Sequence, residues 1–177
     1  MNIRMKFKKH GCMKFIGHLD IMRYFQKAIR RADIDIAYSE GFSPHMIMSF
    51  AAPLGVGLTS EGEYVDLQVN SCGSSKAAVD ALNRVMVDGM EVVSFKLLPE
   101  TVKNAMASVA AADYFVKFRE GYAPENWEEK FTTFLQKEEM LIVKKTKRSE
   151  AEVDLKPMLY QAKIQDGGIF MQVACGS

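Results

Sequence analysis

The chain of 177 residues has only three cysteines, Cys12, Cys72 and Cys175, far apart and without a C-x-x-C pair. An odd, scattered set of this kind excludes a disulfide framework and lacks structural zinc spacing, so reduced thiols are expected. Long apolar runs are missing too, since none approaches the roughly 18 to 20 residues of a spanning helix. The N-terminus MNIRMKFKKHG is basic but lacks the apolar segment of a signal peptide, and the expectation is a cytoplasmic protein with no membrane contact. Glycine-rich PLGVGLTSEGEY lacks the G-x-G-x-x-G and G-x-x-x-x-G-K-[ST] spacings of nucleotide loops. Its Ser60, Glu61 and Glu63 make a weak site, with Glu63 expected to face water on a strand. No internal repeat or low-complexity tract is visible.

What is present belongs to a globular protein, with 48% hydrophobic and 25% charged residues and a net charge of +1. The charge is uneven: residues 1–50 carry nine Lys/Arg against four Asp/Glu, residues 51–110 four against seven, and residues 111–177 ten against eleven. A cationic start of this kind concentrates anionic partners, although many such regions are only solvated faces.

Residues 3–9 alternate Ile3, Met5 and Phe7 with cations, the period of a half-buried strand. From His18 to Ala32, Leu19, Met22, Phe25, Ile29 and Ala32 recur at helical spacing, with Arg23, Lys27, Arg30 and Arg31 off that stripe. Gly17 is a workable N-cap, and Asp20 in the first turn complements the helix dipole. IDIAY (34–38) reads as a strand, SEGFSPHM as a loop, IMSFAAPLGVGLTS as a bulged or edge strand, and EGEYVDLQV as a further strand. A helix capped by Ser74 or Ser75 and the strand MEVVSFKLL follow.

This β-α-β-β-α-β order is the ferredoxin-like signature, an antiparallel sheet with helices on one face. VKNAMASVAA reads as a linker or the lead-in to strand DYFVKFR. Beyond it lie a helix opened by Pro124, the strand MLIVKKTK, a partly extended EAEVDLKPMLYQAKI, and a last strand after a Gly-Gly turn. The expectation is an α+β chain of tandem ferredoxin-like units, residues 1–105 and a second, incomplete unit in 106–177.

Two segments concentrate chemistry. His18 and Asp20 at a helix start could orient a substrate or move protons, or else bond to backbone and complement the dipole. Arg23, Lys27, Arg30 and Arg31 suit phosphate contacts, or form a plain solvated face. In YSEGFSPH, Tyr38 offers a stacking surface, Ser39 and Ser43 offer hydroxyls, and Gly41 allows close backbone approach, so the loop can cradle an anion or a base. Turn chemistry accounts for Gly41 and Pro44 but not for Ser39 or His45. His10, Cys12, His18 and His45 are the only crowd of metal-ligand types, without zinc spacing, and neither metal nor cofactor is expected. The basic cluster KKTKR (144–148) reads as an edge-strand end that resists aggregation, or as an extension of a polyanion track.

The stretches FIGHLDIMR, AIRRADIDIAYSEGFSPHMIMSFAAPLGVGLTSEGEYVDL and VDLKPMLY resemble the radical-SAM-linked proteins, a bacterial family labelled as a domain of unknown function. The resemblance is close over residues 4–66 and rests on H-L-D, Y-S-x-G-F-x-P-H and P-L-x-x-G; Gly17 departs from it, where members often carry Ser. Members occur alone, fused behind cobalamin-binding radical S-adenosylmethionine enzymes, or near genes for ribosomal proteins and an RNase G type ribonuclease. The C-x-x-x-C-x-x-C motif of the radical enzymes is absent from this chain. A wider, fold-level likeness is to the RAMP-type CRISPR endoribonucleases.

The resemblance implies a setting in RNA modification or processing. The leading expectation is an accessory module presenting structured RNA, tRNA or rRNA, to a radical SAM or RNase G type partner. Arg23, Arg30 and Arg31 would hold phosphates, Tyr38 and Phe42 would stack, and His18 and His45 would read a base or phosphate. One alternative is a small metal-independent RNA-cleaving enzyme with His18 and His45 as acid and base and Ser39 or an arginine stabilising the phosphate. The other is a subunit that docks on the partner protein.

Overall fold

The computed structural model describes residues 1–145 and 150–175. The chain divides into two compact units, Met1–Val109 and a second beginning at Ala110.

In unit 1, strand β1 (Asn2–Lys9) buries Ile3, Met5 and Phe7 on one face, as its period-two pattern requires. Lys9 continues that face and is only 2% exposed. A 3-10 turn, Gly11–Phe15, leads to helix α1 (His18–Arg31), which buries Ile21, Phe25, Ala28 and Ile29. Arg30 and Arg31 stand in its last turn, where the helix dipole favours positive charge. Strand β2 is short, Met48–Phe50, and β3 spans Ser60–Gln68. Helix α2 (Ser75–Val85) is capped by Ser74, whose Oγ accepts the Ala77 N–H at 3.0 Å. Strand β4 (Met90–Leu97) completes a sheet in the order β2-β3-β1-β4, antiparallel throughout. The strand residues Met5, Phe7, Val65, Leu67, Val92 and Phe95 meet Phe25 and Ile29 of α1 and Leu82 of α2 in one core. Burying each such side chain is worth about 1.5–3 kcal/mol.

Two segments of unit 1 differ from their expected form. IDIAY is not a strand: Ile36 and Tyr38 make isolated bridges to Val69 and Met46. Ala37 gives its N–H to Gln68 and takes that of Ile47, so the segment's hydrogen bonds go to two different partners and no ladder builds up. VKNAMASVAA contains a short helix, α3 (Ala105–Ser108), capped by Asn104. It is fastened to the sheet by Asp66, which accepts the Ala105 N–H at 2.6 Å and holds Arg4 bidentately at 2.8 and 3.0 Å.

Unit 2 consists of β5 (Ala111–Val116), α4 (Trp127–Leu135), β6 (Leu141–Lys145), β7 (Glu150–Asp154), β8 (Leu159–Gln165) and β9 (Gly168–Ala174). Helix α4 starts after Asn126, which is left-handed at φ 55°, rather than at Pro124. The partly extended segment resolves into β7 and β8 around a 3-10 turn, Lys156–Met158. Asp166 (φ 49°) and Gly167 (φ 68°) form the β8–β9 turn, matching the positive angles of a tight hairpin. Strands β5, β9 and β8 form one antiparallel sheet and β6–β7 a separate hairpin.

The mixed α+β, antiparallel character holds in both units. Among the described residues, however, unit 2 spreads its strands over two sheets and does not repeat the four-stranded sheet of unit 1. Of the basic cluster 144–148, only Lys144 and Lys145 are described residues; the remainder lies outside them. No helix among the described residues is long and apolar enough to cross a membrane.

Candidate functional site

The amphipathic pattern of α1 turns Arg23, Lys27, Arg30 and Arg31 outward, and all four are exposed. Arg23 donates to Asp20 at 3.1 Å in an exposed pair worth at most about 1 kcal/mol. Arg31 reaches the Val85 carbonyl at 3.2 Å. Lys27 and Arg30 have no ion-pair partner among the described residues.

The chain leaves the C-terminal end of α1 and rises into the loop Tyr38–His45. Ser39 and His45 fasten its base with three contacts. The Ser39 N–H donates to the His45 carbonyl at 2.8 Å, the His45 N–H to Ser39 Oγ at 3.1 Å, and Ser39 Oγ lies 2.8 Å from His45 Nδ1. Turn chemistry therefore does account for this pair, which the sequence pattern alone left unexplained. Gly41 at φ 103° supplies the positive backbone angle the tip needs. Phe42 projects completely into solvent, and Tyr38 is 46% exposed.

His18 lies elsewhere. Its ring packs edge-on against Phe50, with centroids 5.3 Å apart at 90°. Ile36, at the loop's root, bridges Val69, and Val69 donates to the Met1 carbonyl at the start of β1. His18 instead shares a cavity with Lys9 at the end of β1. The structure thus joins Ser39 and His45 in one clasp between Tyr38 and the loop tip, on the stretch of chain that follows the basic last turn of α1. His18 stands apart from that clasp, beside Phe50 and Lys9, and Asp20 pairs with Arg23 on the first turn and a half of α1.

His18 has companions that the sequence pattern passed over. A cavity of about 20 Å³ is lined by Lys9, His18, Glu63, Phe50 and Leu54, among others. Lys9 Nζ donates to the Ile16 carbonyl at 2.9 Å, and Glu63 accepts the Ser60 hydroxyl at 2.7 Å. Burial pushes the Lys9 ammonium below its ordinary pKa, against a smaller opposing pull from Glu63. Burial likewise pushes Glu63 up, outweighing the Ser60 hydrogen bond and the nearby Lys9 charge. Glu63 was expected to face water, yet it is half-buried on the core side of β3 with Val65 and Leu67. The signal was present as parity: Lys9 follows Ile3, Met5 and Phe7, and Glu63 precedes Val65 and Leu67, each at the apolar step of its strand.

Two loops meet at this end of the sheet, where the Gly57 N–H donates to the Lys14 carbonyl at 2.8 Å. H-L-D and the glycine-rich P-L-x-x-G segment, distant in sequence, are therefore neighbours. His10 pairs with Glu61 at 3.2 Å and Cys12 is an exposed free thiol. Among the described residues no three His, Cys, Asp or Glu side chains gather as a metal site would need.

No curated protein matches the chain. A family profile does, over residues 2–177, so the chain belongs to the bacterial family described as uncharacterized protein conserved in bacteria (DUF2344).

Proposed function

We propose that the chain is an RNA-binding accessory module that presents tRNA or rRNA to a radical SAM or RNase G type partner in RNA modification or processing. The surface is the exposed face of α1 continued by the loop Tyr38–His45. The observation that carries it is Phe42, a ring wholly in solvent on a loop clasped at its base by Ser39 and His45. An exposed phenyl forgoes about 1.5–3 kcal/mol of burial, which suits a ring kept outward to stack on an unpaired base. Arg30 and Arg31, a few residues before the loop, supply cations for the adjoining phosphates. The strand order of unit 1 supports a ferredoxin-like assignment for it, and a cytoplasmic location goes with the proposed partners.

RNA cleavage by paired imidazoles is the weaker alternative, because His45 is engaged by Ser39 in the loop while His18 packs on Phe50.

The test is fluorescence anisotropy of labelled tRNA and rRNA fragments across a salt series. Removing both charges in R30A/R31A lowers the slope of log affinity against log salt by about 1.4 to 1.8. Phe42→Ala weakens binding about 5- to 150-fold, the loss of one stacked base. Absent or salt-independent binding overturns the proposal.

A further inference from the structure

The cavity at the end of β1 and the start of α1 is a second feature, independent of the RNA surface. An ammonium is costly to bury unless its donors are satisfied. Lys9, 2% exposed, makes one side-chain hydrogen bond among the described residues, to Ile16, although an ammonium carries three donors. No ion pair joins it to Glu63 among the described residues, and the cavity fills the interval. About 20 Å³ admits a single water-sized atom, since one water needs roughly 10–15 Å³. His18, Leu54 and Glu63 are half-buried, so the cavity is open to solvent.

We propose that this cavity receives one oxygen of a small anionic group, a carboxylate or a phosphate. Lys9 is its charge partner, His18 a second donor, and Glu63 closes the ring on the side of β3.

The charged and titratable groups facing the cavity are Lys9 from β1, His18 from α1 and Glu63 from β3, with the hydroxyl of Ser60 on Glu63. Strand β2 contributes only Phe50, and residues 51–59 carry no charge. Glu61 is held by Lys8 at 3.5 Å and by His10 at 3.2 Å. The start of α1 has no side-chain cap, so its first N–H groups add positive potential at this end. Burial shifts Glu63 toward its acid form, which lessens without abolishing the one charge that would repel an anion. The size restricts the ligand to entry by one oxygen, with the rest of it outside, and the ionisable walls disfavour an apolar occupant.

Inorganic phosphate and acetate are titrated separately into the full chain at one fixed pH. Binding is followed by the ring NMR signals of His18, which distinguish this cavity from the arginines of α1. Wild type shows saturable shifts with at least one anion, and which one responds tells phosphate from carboxylate. Lys9→Met weakens binding about tenfold or more, the loss of a charged hydrogen-bond partner. Glu63→Gln keeps the acceptor for Ser60 but removes the charge, and strengthens binding several-fold. A purely structural role for the pair does not produce these opposite signs. If Lys9→Met fails to fold by circular dichroism, Glu63→Gln decides alone. Shifts absent in wild type, or binding unchanged or weakened in Glu63→Gln, overturn the proposal and leave a hydrated cavity.

Discussion

Unit 1 and unit 2 are built from similar proportions of apolar residue but spend them differently. Among the described residues, the fully buried apolar side chains lie in unit 1, with Met140 the exception. In unit 2, Phe115 is 49% exposed, Leu141 50% and Val143 59%; α4 buries nothing completely. Unit 1 closes its core because two helices cover one face of a four-stranded sheet, whereas unit 2 has a three-stranded sheet, a separate hairpin and one helix of comparable length. A rigid scaffold with clasped loops is what a binding surface needs, and in this chain unit 1 supplies it.

The largest effect that sharpens this contrast is core truncation. Phe25→Ala removes a ring 0% exposed that touches Phe7, Tyr24 and Phe50, and denaturant unfolding should show a loss of about 3–5 kcal/mol. Phe115→Ala in unit 2 should stay within about 0.5 kcal/mol. Equal losses at the two positions would erase the distinction.

Next in size is Asp66→Ala, which strands the Arg4 guanidinium and the Ala105 N–H together. A loss of about 2–3 kcal/mol is expected in unfolding, with faster amide exchange at Ala105.

The pH dependence separates the units by sign. Glu63 in unit 1 is raised above its ordinary 4.5 by burial, so the unfolded chain releases that proton first. The stability tied to it is present below 4.5 and falls as pH rises through the folded value. Lys9, lowered from 10.5 by burial, costs stability near neutrality, and that cost disappears as pH rises from its folded value toward 10.5. Glu63→Gln therefore flattens the decline above 4.5, and Lys9→Met flattens the alkaline recovery; thermal melts across pH check both. Asp154 in unit 2 behaves oppositely. The Lys156 and Met140 N–H groups, at 2.9 and 2.7 Å, hold it below its ordinary 3.8. Its contribution is present above 3.8 and is lost as pH falls through the folded value, an effect that Asp154→Asn should remove and that is the smallest of the set.

How much of this was legible follows from where each element finds its partners. Strand β1 and helix α1 show their periods because one face of each meets the core. Segment 34–38 carries strand-like residues yet forms only bridges, because its neighbours Met46 and Val69 belong to different stretches of chain. Helix α3 was hidden because its anchor, Asp66, lies far off in sequence. For the site, the exposed cations of α1 were legible as residues off the apolar stripe. The Ser39–His45 clasp was not, since a hydroxyl and an imidazole six residues apart announce no turn by themselves. The Lys9–Glu63 cavity was legible only as an interruption: a charge at a step where the strand's period demands an apolar residue.

Photo-crosslinking of tRNA to the full chain, followed by peptide mapping, tests the central claim most directly. Crosslinked nucleotides should map to residues 23–45, with Tyr38 and Phe42 the strongest positions. Crosslinks confined to residues beyond Ala110, or none above background, would contradict it.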